Sequence, residues 1–255
     1  MAQQGRRPGK GSGRGQGKGK GGSHGRGRGS AARPGSGTPP RTTPAARTKV
    51  VYDAPVAAPE EPRTFRLGAV PGATPGTWID RWKQRLPDVP LELVPIEVAT
   101  QRTALDEVDA ALVRLPLDDA SLHVIPLYDE LPVVVAAADS HLMAVDELAA
   151  ADLEGEVVIA LSDDVLGPLD LPGTTAARFA PLPTADAVAT AASGVGIVIV
   201  PMSLARLHHR KDVDHRVLTD GPHSTVALAW LRDRTTPDVE TFVGIVRGRT
   251  TNSSR

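Results

Sequence analysis

Few side chains in this chain are placed to do chemistry, and those few are donors rather than nucleophiles. Arg114 ends the apolar run Ala110–Val113. A guanidinium at a strand end suits bidentate recognition of an anion, and it equally suits an ion pair with Asp118 or Asp119. Thr74 and Thr77 follow a short apolar segment and its Pro71–Gly72 turn. Their hydroxyls either cap a helix or, with free backbone amides, donate to a polar group. Thr100 and Gln101 open a second helical segment and carry the same pair of readings. Ser162 falls in a loop and Thr184 precedes an Ala-rich helix, where solvation and capping are the plain roles. His208–His209 beside Arg210–Lys211 could signal metal or nucleic acid. Neighbouring residues on a helix diverge by about 100°, so the pair makes no bidentate site and reads as a solvated helix end. Gly17, Gly19 and Gly22 fit G-x-G-x-x-G, but they follow no strand and lie in a glycine repeat. There is no phosphate loop ending in Gly-Lys-Ser/Thr, no G-x-S-x-G elbow between strand and helix, no H-E-x-x-H and no clustered metal-ligand set. The expectation is therefore no enzyme, no cofactor and no metal.

The elements that must hold these residues alternate between strand and helix. Phe65–Val70 reads as a strand, and Thr77 as the cap of a helix to about Leu86 with Trp78, Ile79 and Trp82 on one face. Leu91–Ile96 and Ala110–Val113 are further strands, flanking a helix over Thr100–Glu107. Leu122–Leu127 and Pro132–Ala138 are extended, Asp146–Asp152 a short helix and Val157–Leu161 a buried strand. Thr184 caps a helix that Gly194 ends, and Pro201 opens the helix after Ile197–Val200. Val213–Leu218 and Thr225–Leu231 are extended, and a last helix starts at Pro237. The alternation predicts an α/β fold with largely parallel sheets.

Composition divides the chain. Residues 1–63 contain no Leu, Ile, Phe or Trp, and residues 1–48 hold 14 of the 25 glycines. Such a segment cannot bury enough surface to offset its chain entropy. It reads as a disordered Gly/Arg/Lys-rich tail followed by a Pro-rich linker. Of the 29 Lys and Arg residues 12 lie in residues 1–49, and no Asp or Glu precedes Asp53. The rest of the chain then has 17 basic against 30 acidic side chains, or -13 with His neutral. The body repels nucleic acid, whereas the tail can attract it weakly and without sequence preference. With no cysteine, disulfides and thiolate metal sites are excluded. No apolar segment follows the basic N-terminus as a signal peptide requires, and Val133–Ala138 and Val195–Val200 are too short to cross a bilayer. A cytoplasmic location is expected.

Seven stretches, in order, carry a resemblance: FRLGAVPGATP, LPDVPLELV, LDEVDAALVRLPL, LHVIPLYDELPVVVAAADSHL, ADLEGEVVI, TADAVATAASGVGIVIVPMSLARL, and VALAWLRD with PDVETFVGIVR. Together they resemble the substrate-binding (effector-binding) domain of LysR-type transcriptional regulators, a type 2 periplasmic-binding-protein fold. Two departures stand out. Residues 1–63 have no counterpart of the family's helix-turn-helix, which needs buried aliphatic residues. The segment Ser162–Phe179 is rich in Pro, Gly and Asp.

The resemblance implies an α/β fold of two lobes with a hinge of two crossover strands. Lobe I would take residues 64–136 and 229–249, lobe II residues 137–228, with a C-terminal tail at 250–255. The crossovers would fall near Val134–Ala138 and Leu228–Arg232. Ligand would sit between the lobes, with Thr74, Thr77, Thr100, Gln101 and Arg114 facing Ser162 and Thr184. The implied function is a regulatory sensor of a small polar or anionic metabolite, forming a homodimer and lacking its own DNA reader. The rival readings are a solute-binding protein serving a transporter, and an interaction module that binds no ligand.

Overall fold

The computed structural model describes residues 62–248. The expectations for the tail, for nearly all of the linker and for residues 250–255 fall outside them. In chain order the elements are β1 (Phe65–Ala69), α1 (Gly76–Arg85), β2 (Leu91–Pro95), α2 (Gln101–Ala104), β3 (Ala110–Arg114) and β4 (Leu122–Glu130). They continue with β5 (Pro132–Ala137), β6 (Glu147–Leu148), β7 (Val157–Val158), β8 (Thr175–Ala176), α3 (Thr184–Ala191), β9 (Val198–Pro201) and α4 (Met202–Leu207). The last are β10 (Val213–Leu218), β11 (Ser224–Leu231) and α5 (Pro237–Val246).

Two sheets organise the domain. One has the order β2-β1-β3-β11-β4 and the other β6-β10-β5-β9. Strands with apolar residues at every position bury both faces. Ala110 and Leu112 of β3 join one core cluster, and Ala111 and Val113 the cluster on the opposite face. In the second sheet Val133 and Val135 of β5 pack on one side, Val134 and Ala136 on the other. Helices α1 and α5 cover the first sheet through packed aromatics, stacked for Trp82 and tilted for Phe242. The Phe65 and Trp82 rings lie 4.5 Å apart and those of Phe65 and Phe242 5.2 Å. The buried Trp82 indole N–H donates to the Val89 carbonyl at 2.9 Å, so its polar end is satisfied.

The α/β class holds, but the largely parallel pairing is corrected. β1 runs parallel to β2 and β3, whereas β11 is antiparallel to both β3 and β4. β5 is antiparallel to both β10 and β9. In each sheet a strand entering from the other sheet fills a slot between two parallel strands, and it runs against them.

Sheet membership also moves the crossings. All of β5 pairs within the second sheet and all of β11 within the first. The chain therefore crosses at Leu131 and again between Leu218 and Ser224, several residues before Val134–Ala138 and Leu228–Arg232. Both β5 and β11 are buried nearly throughout and need partners on each edge, which leaves only the unpaired residues between strands to make the passage. Leu131 is 43% exposed.

Several local expectations change as well. Pro75, not Thr77, precedes α1, and no side chain caps that helix. The segment after β2 shortens to a 3-10 turn, Val98–Thr100, and the single turn α2. A two-residue strand and a 3-10 turn at Ala150–Leu153 replace the helix over Asp146–Asp152. Pro237 does open α5, with the Thr236 hydroxyl accepting from the Val239 amide.

Candidate functional site

The site grows from the C-terminal end of β3. Its last residue, Arg114, is 2% exposed. Burying a guanidinium is costly unless it is paired and hydrogen-bonded. Here Nη1 donates to Glu130 Oε2 at 2.9 Å and to Ser224 Oγ at 2.7 Å, while Nη2 donates to the Pro71 carbonyl at 3.2 Å and to Ser203 Oγ at 3.1 Å. The Ser203 hydroxyl in turn donates to Glu130 Oε2 at 2.7 Å. The Nε of Arg114 is buried without a partner among the described residues.

Each partner comes from a different element. Glu130 ends β4 at the first crossing, Ser224 begins β11 at the second, Pro71 follows β1, and Ser203 lies on α4 of the other lobe. The cluster thus ties the strand ends of lobe I to lobe II at the point where the chain passes between them. The Pro71–Gly72 turn is built for this approach. Gly72 has φ +84°, and a Cβ there would meet Ser203 Oγ at 2.3 Å. Only glycine takes both the conformation and the contact without strain.

The ion-pair alternative for Arg114 is therefore met by Glu130 and not by Asp118 or Asp119. Asp119 instead bonds Arg102 and the Ser121 hydroxyl and amide. Those bonds, Ser121 first and Arg102 next, hold the Asp119 carboxyl down at about 2. Beside the cluster, burial pushes the Tyr128 phenol up, with the Glu130 charge adding to the effect.

A cleft of about 650 Å³ opens beside Arg114 between the lobes. Its lobe I wall includes Pro71, Glu97 and Val98, and its lobe II wall includes Asp163, Asp164 and Leu204. Of the residues expected to bind ligand, Arg114, Ser162 and Thr184 line this cleft. Thr74 and Thr77 line a different groove of about 880 Å³, with Trp78, Tyr128 and Leu207. Thr100 and Gln101 line neither. Gln101 is buried and bonded at both ends of its amide: its Nε2 donates to the Arg114 carbonyl and its Oε1 accepts from the Arg114 amide, each at 2.9 Å. It fixes the end of β3. Thr100 is exposed on the 3-10 turn.

Thr184 does not cap α3 from the N-cap position. It is the first helical residue, and Asp163 Oδ1 accepts from both its amide at 2.9 Å and its hydroxyl at 2.8 Å. His208, expected to be solvated, is half-buried in the cleft wall, while His209 is exposed. Glu130, Ser203, Ser224 and Asp163 escape a reading of the sequence alone. Ser224 lies 110 residues from Arg114, and no local spacing links them. The one available signal is a charged residue, Glu130, wedged between two apolar strands.

The sequence signature of the LysR substrate binding domain matches residues 58–251. The chain belongs to that family. Over 206 residues the domain is 26% identical to the Hca operon transcriptional activator HcaR of Escherichia coli K12, covering 74% of this chain and 69% of HcaR. Among solved structures, the effector binding domain of BenM with its effector benzoate superposes with a TM-score of 0.60 at 19% identity, covering 73% of this chain and 91% of that one. The reduced OxyR regulatory domain of Pseudomonas aeruginosa gives 0.57 at 22% identity, over 74% and 96%. The domain is thus a ligand-sensing regulatory domain of the LysR type, with the family's periplasmic-binding-protein-like α/β fold.

Proposed function

We propose that this domain is a non-enzymatic, cytoplasmic sensor that closes its two lobes around a small polar metabolite and works as a homodimer. The observation that carries the reading is the cleft near the two crossings, with walls from both lobes and, in its lining, Arg114, which the Glu130, Ser203 and Ser224 side chains hold. A ligand touching both walls favours the closed arrangement by as much as it binds that arrangement better than the open one. The cluster reaches both lobes and is where such a movement would be felt. Arg114, Ser162 and Thr184 are the expected residues that line this cleft. Among the described residues no helix is long and apolar enough to cross a membrane, and no His, Cys, Asp and Glu group fits a metal ion.

Such a sensor does not by itself recognise a specific DNA site. Residues 1–63 lack the aliphatic and aromatic core that a reading helix needs, and the body is acidic. Thermal melting against a metabolite library tests the sensor reading. A ligand at about a hundred times its Kd adds roughly 2.7 kcal/mol of stability, a shift easily seen. A library-wide absence of shifts would speak for the interaction module without a ligand.

A further inference from the structure

We infer that the cleft selects a ligand whose polar handle is a cation, an ammonium, amidinium or guanidinium group on a small apolar body, and rejects carboxylates. The inference rests on the cleft being the effector site and names the ligand class it takes.

Two features of the cleft are built to attract an anion, and each already holds a carboxylate of the chain itself. The Arg114 guanidinium carries Glu130 at 2.9 Å, with both side chains at least nine-tenths buried. The N-terminus of α3, an eight-residue helix, carries Asp163, which accepts from the Thr184 amide and hydroxyl at 2.9 and 2.8 Å. A helix N-terminus and a guanidinium are the two usual receptors for a carboxylate. A free carboxylate must displace one that is tethered beside its receptor, and displacing Glu130 would leave a buried charge without a partner.

Apart from His208 on lobe II, the ionisable groups left facing the cleft are carboxylates, and they stand on both walls. Glu97 projects from lobe I with no hydrogen-bond partner for its carboxylate among the described residues, and Asp164 stands exposed on lobe II, with one oxygen accepting from the Leu166 amide at 2.9 Å. Like charges on facing walls oppose closure, and a cation between them reverses the sign of that term. Val98, Val165, Leu204 and Leu207 line the same space and suit an apolar body. Ligand charge and lobe closure are therefore one selection.

The test uses matched fragments on the full chain, each amine paired with the carboxylate of the same skeleton: benzylamine with benzoate, cyclohexylamine with cyclohexanecarboxylate, butylamine with butyrate. Ligand-observed NMR gives Kd for the chain, for Glu97→Gln/Asp164→Asn, and for Ala185→Trp, which fills the cleft from an exposed helix position. Thermal melting checks that each variant is folded. The expected result is binding by amines only, weakened about tenfold in the double variant and abolished by Ala185→Trp. Carboxylates that bind and are lost in Ala185→Trp would overturn the charge selection while leaving the cleft as the effector site. Amines whose Kd is unchanged in the double variant would overturn it too. If no fragment responds to Ala185→Trp, the cleft is not a small-molecule site and the sensor reading falls with the inference.

Discussion

Replacing Arg114 by Met would leave the Glu130 carboxylate buried with only a serine hydroxyl, and a buried charge without its partner costs roughly 3–5 kcal/mol. Glu130→Leu alone should destabilise in the same range by orphaning the guanidinium. The double variant Arg114→Met/Glu130→Leu should recover much of the loss, because two apolar groups leave no unpaired charge. Urea unfolding of the three variants closes the cycle. A single variant that loses under about 1 kcal/mol would mean that water or a second acceptor reaches the pair. Asp119 makes a different, pH-dependent contribution. Its carboxyl lies at about 2 when folded, below the ordinary 3.8. A depressed carboxyl contributes stability that is complete above its unfolded value and is lost as pH falls through its folded one. The acid limb between about pH 4 and pH 2 should therefore flatten in Asp119→Asn, as read by circular dichroism along a pH series. An unchanged limb would show that Ser121 and Arg102 do not hold the carboxylate in solution.

At the scale of an element, α3 depends on a residue outside its own sequence. Asp163 reaches the Thr184 amide from a loop 21 residues earlier. Asp163→Ala should cost about 0.5–2 kcal/mol, the range for losing a cap, and should speed amide exchange at the first turn of α3 while β5 keeps its protection. Uniform loss of protection through both elements would mean that the loop, rather than the cap, carries the effect. The segment between β7 and α3 also shows where local patterns stop being informative. Ser162–Phe179, rich in Pro, Gly and Asp, forms only the two-residue β8, pairing with β7. Short-range propensity says little there, because the segment is held by contacts such as Leu166, Leu169 and Leu171 against a core cluster of the second sheet.

For the whole molecule, the four core clusters draw their buried side chains from Phe65 at the start of β1 to Ile245 in α5, among the described residues. Residues 1–61 contain no Leu, Ile, Phe or Trp and have little to add to such cores. Deleting them should leave the melting temperature and the urea slope nearly unchanged. A cooperative loss of structure on deletion would show that the tail completes the fold. The same truncation should abolish any salt-sensitive DNA retention, since 12 of the 29 basic residues leave with it and the remainder is acidic. A sequence-specific footprint that survives truncation and physiological salt would require a reader in the body.

The sequence by itself determined the family, through seven stretches in the family's order, and the α/β class and most strands, which rest on short-range signals: apolar runs, and Pro and Gly at turns. It also marked Arg114 as the pointed residue, since a cation closing an apolar strand is conspicuous in one dimension. Only the tertiary structure decided what Arg114 does. Its partners come from β4, β11, α4 and the turn after β1, and nothing in local spacing brings Glu130, Ser203 and Ser224 to one guanidinium. The crossings fall away from their expected places for the same reason, as an apolar strand looks alike whichever sheet it joins. Thr74 and Thr77 part from Ser162 and Thr184 because position along the chain does not say which of two grooves a turn will face. The charge of the cleft, finally, follows from pairing rather than composition: Arg114 is paired with Glu130 and the Thr184 amide with Asp163, which leaves the Glu97 and Asp164 carboxylates and His208 in the lining.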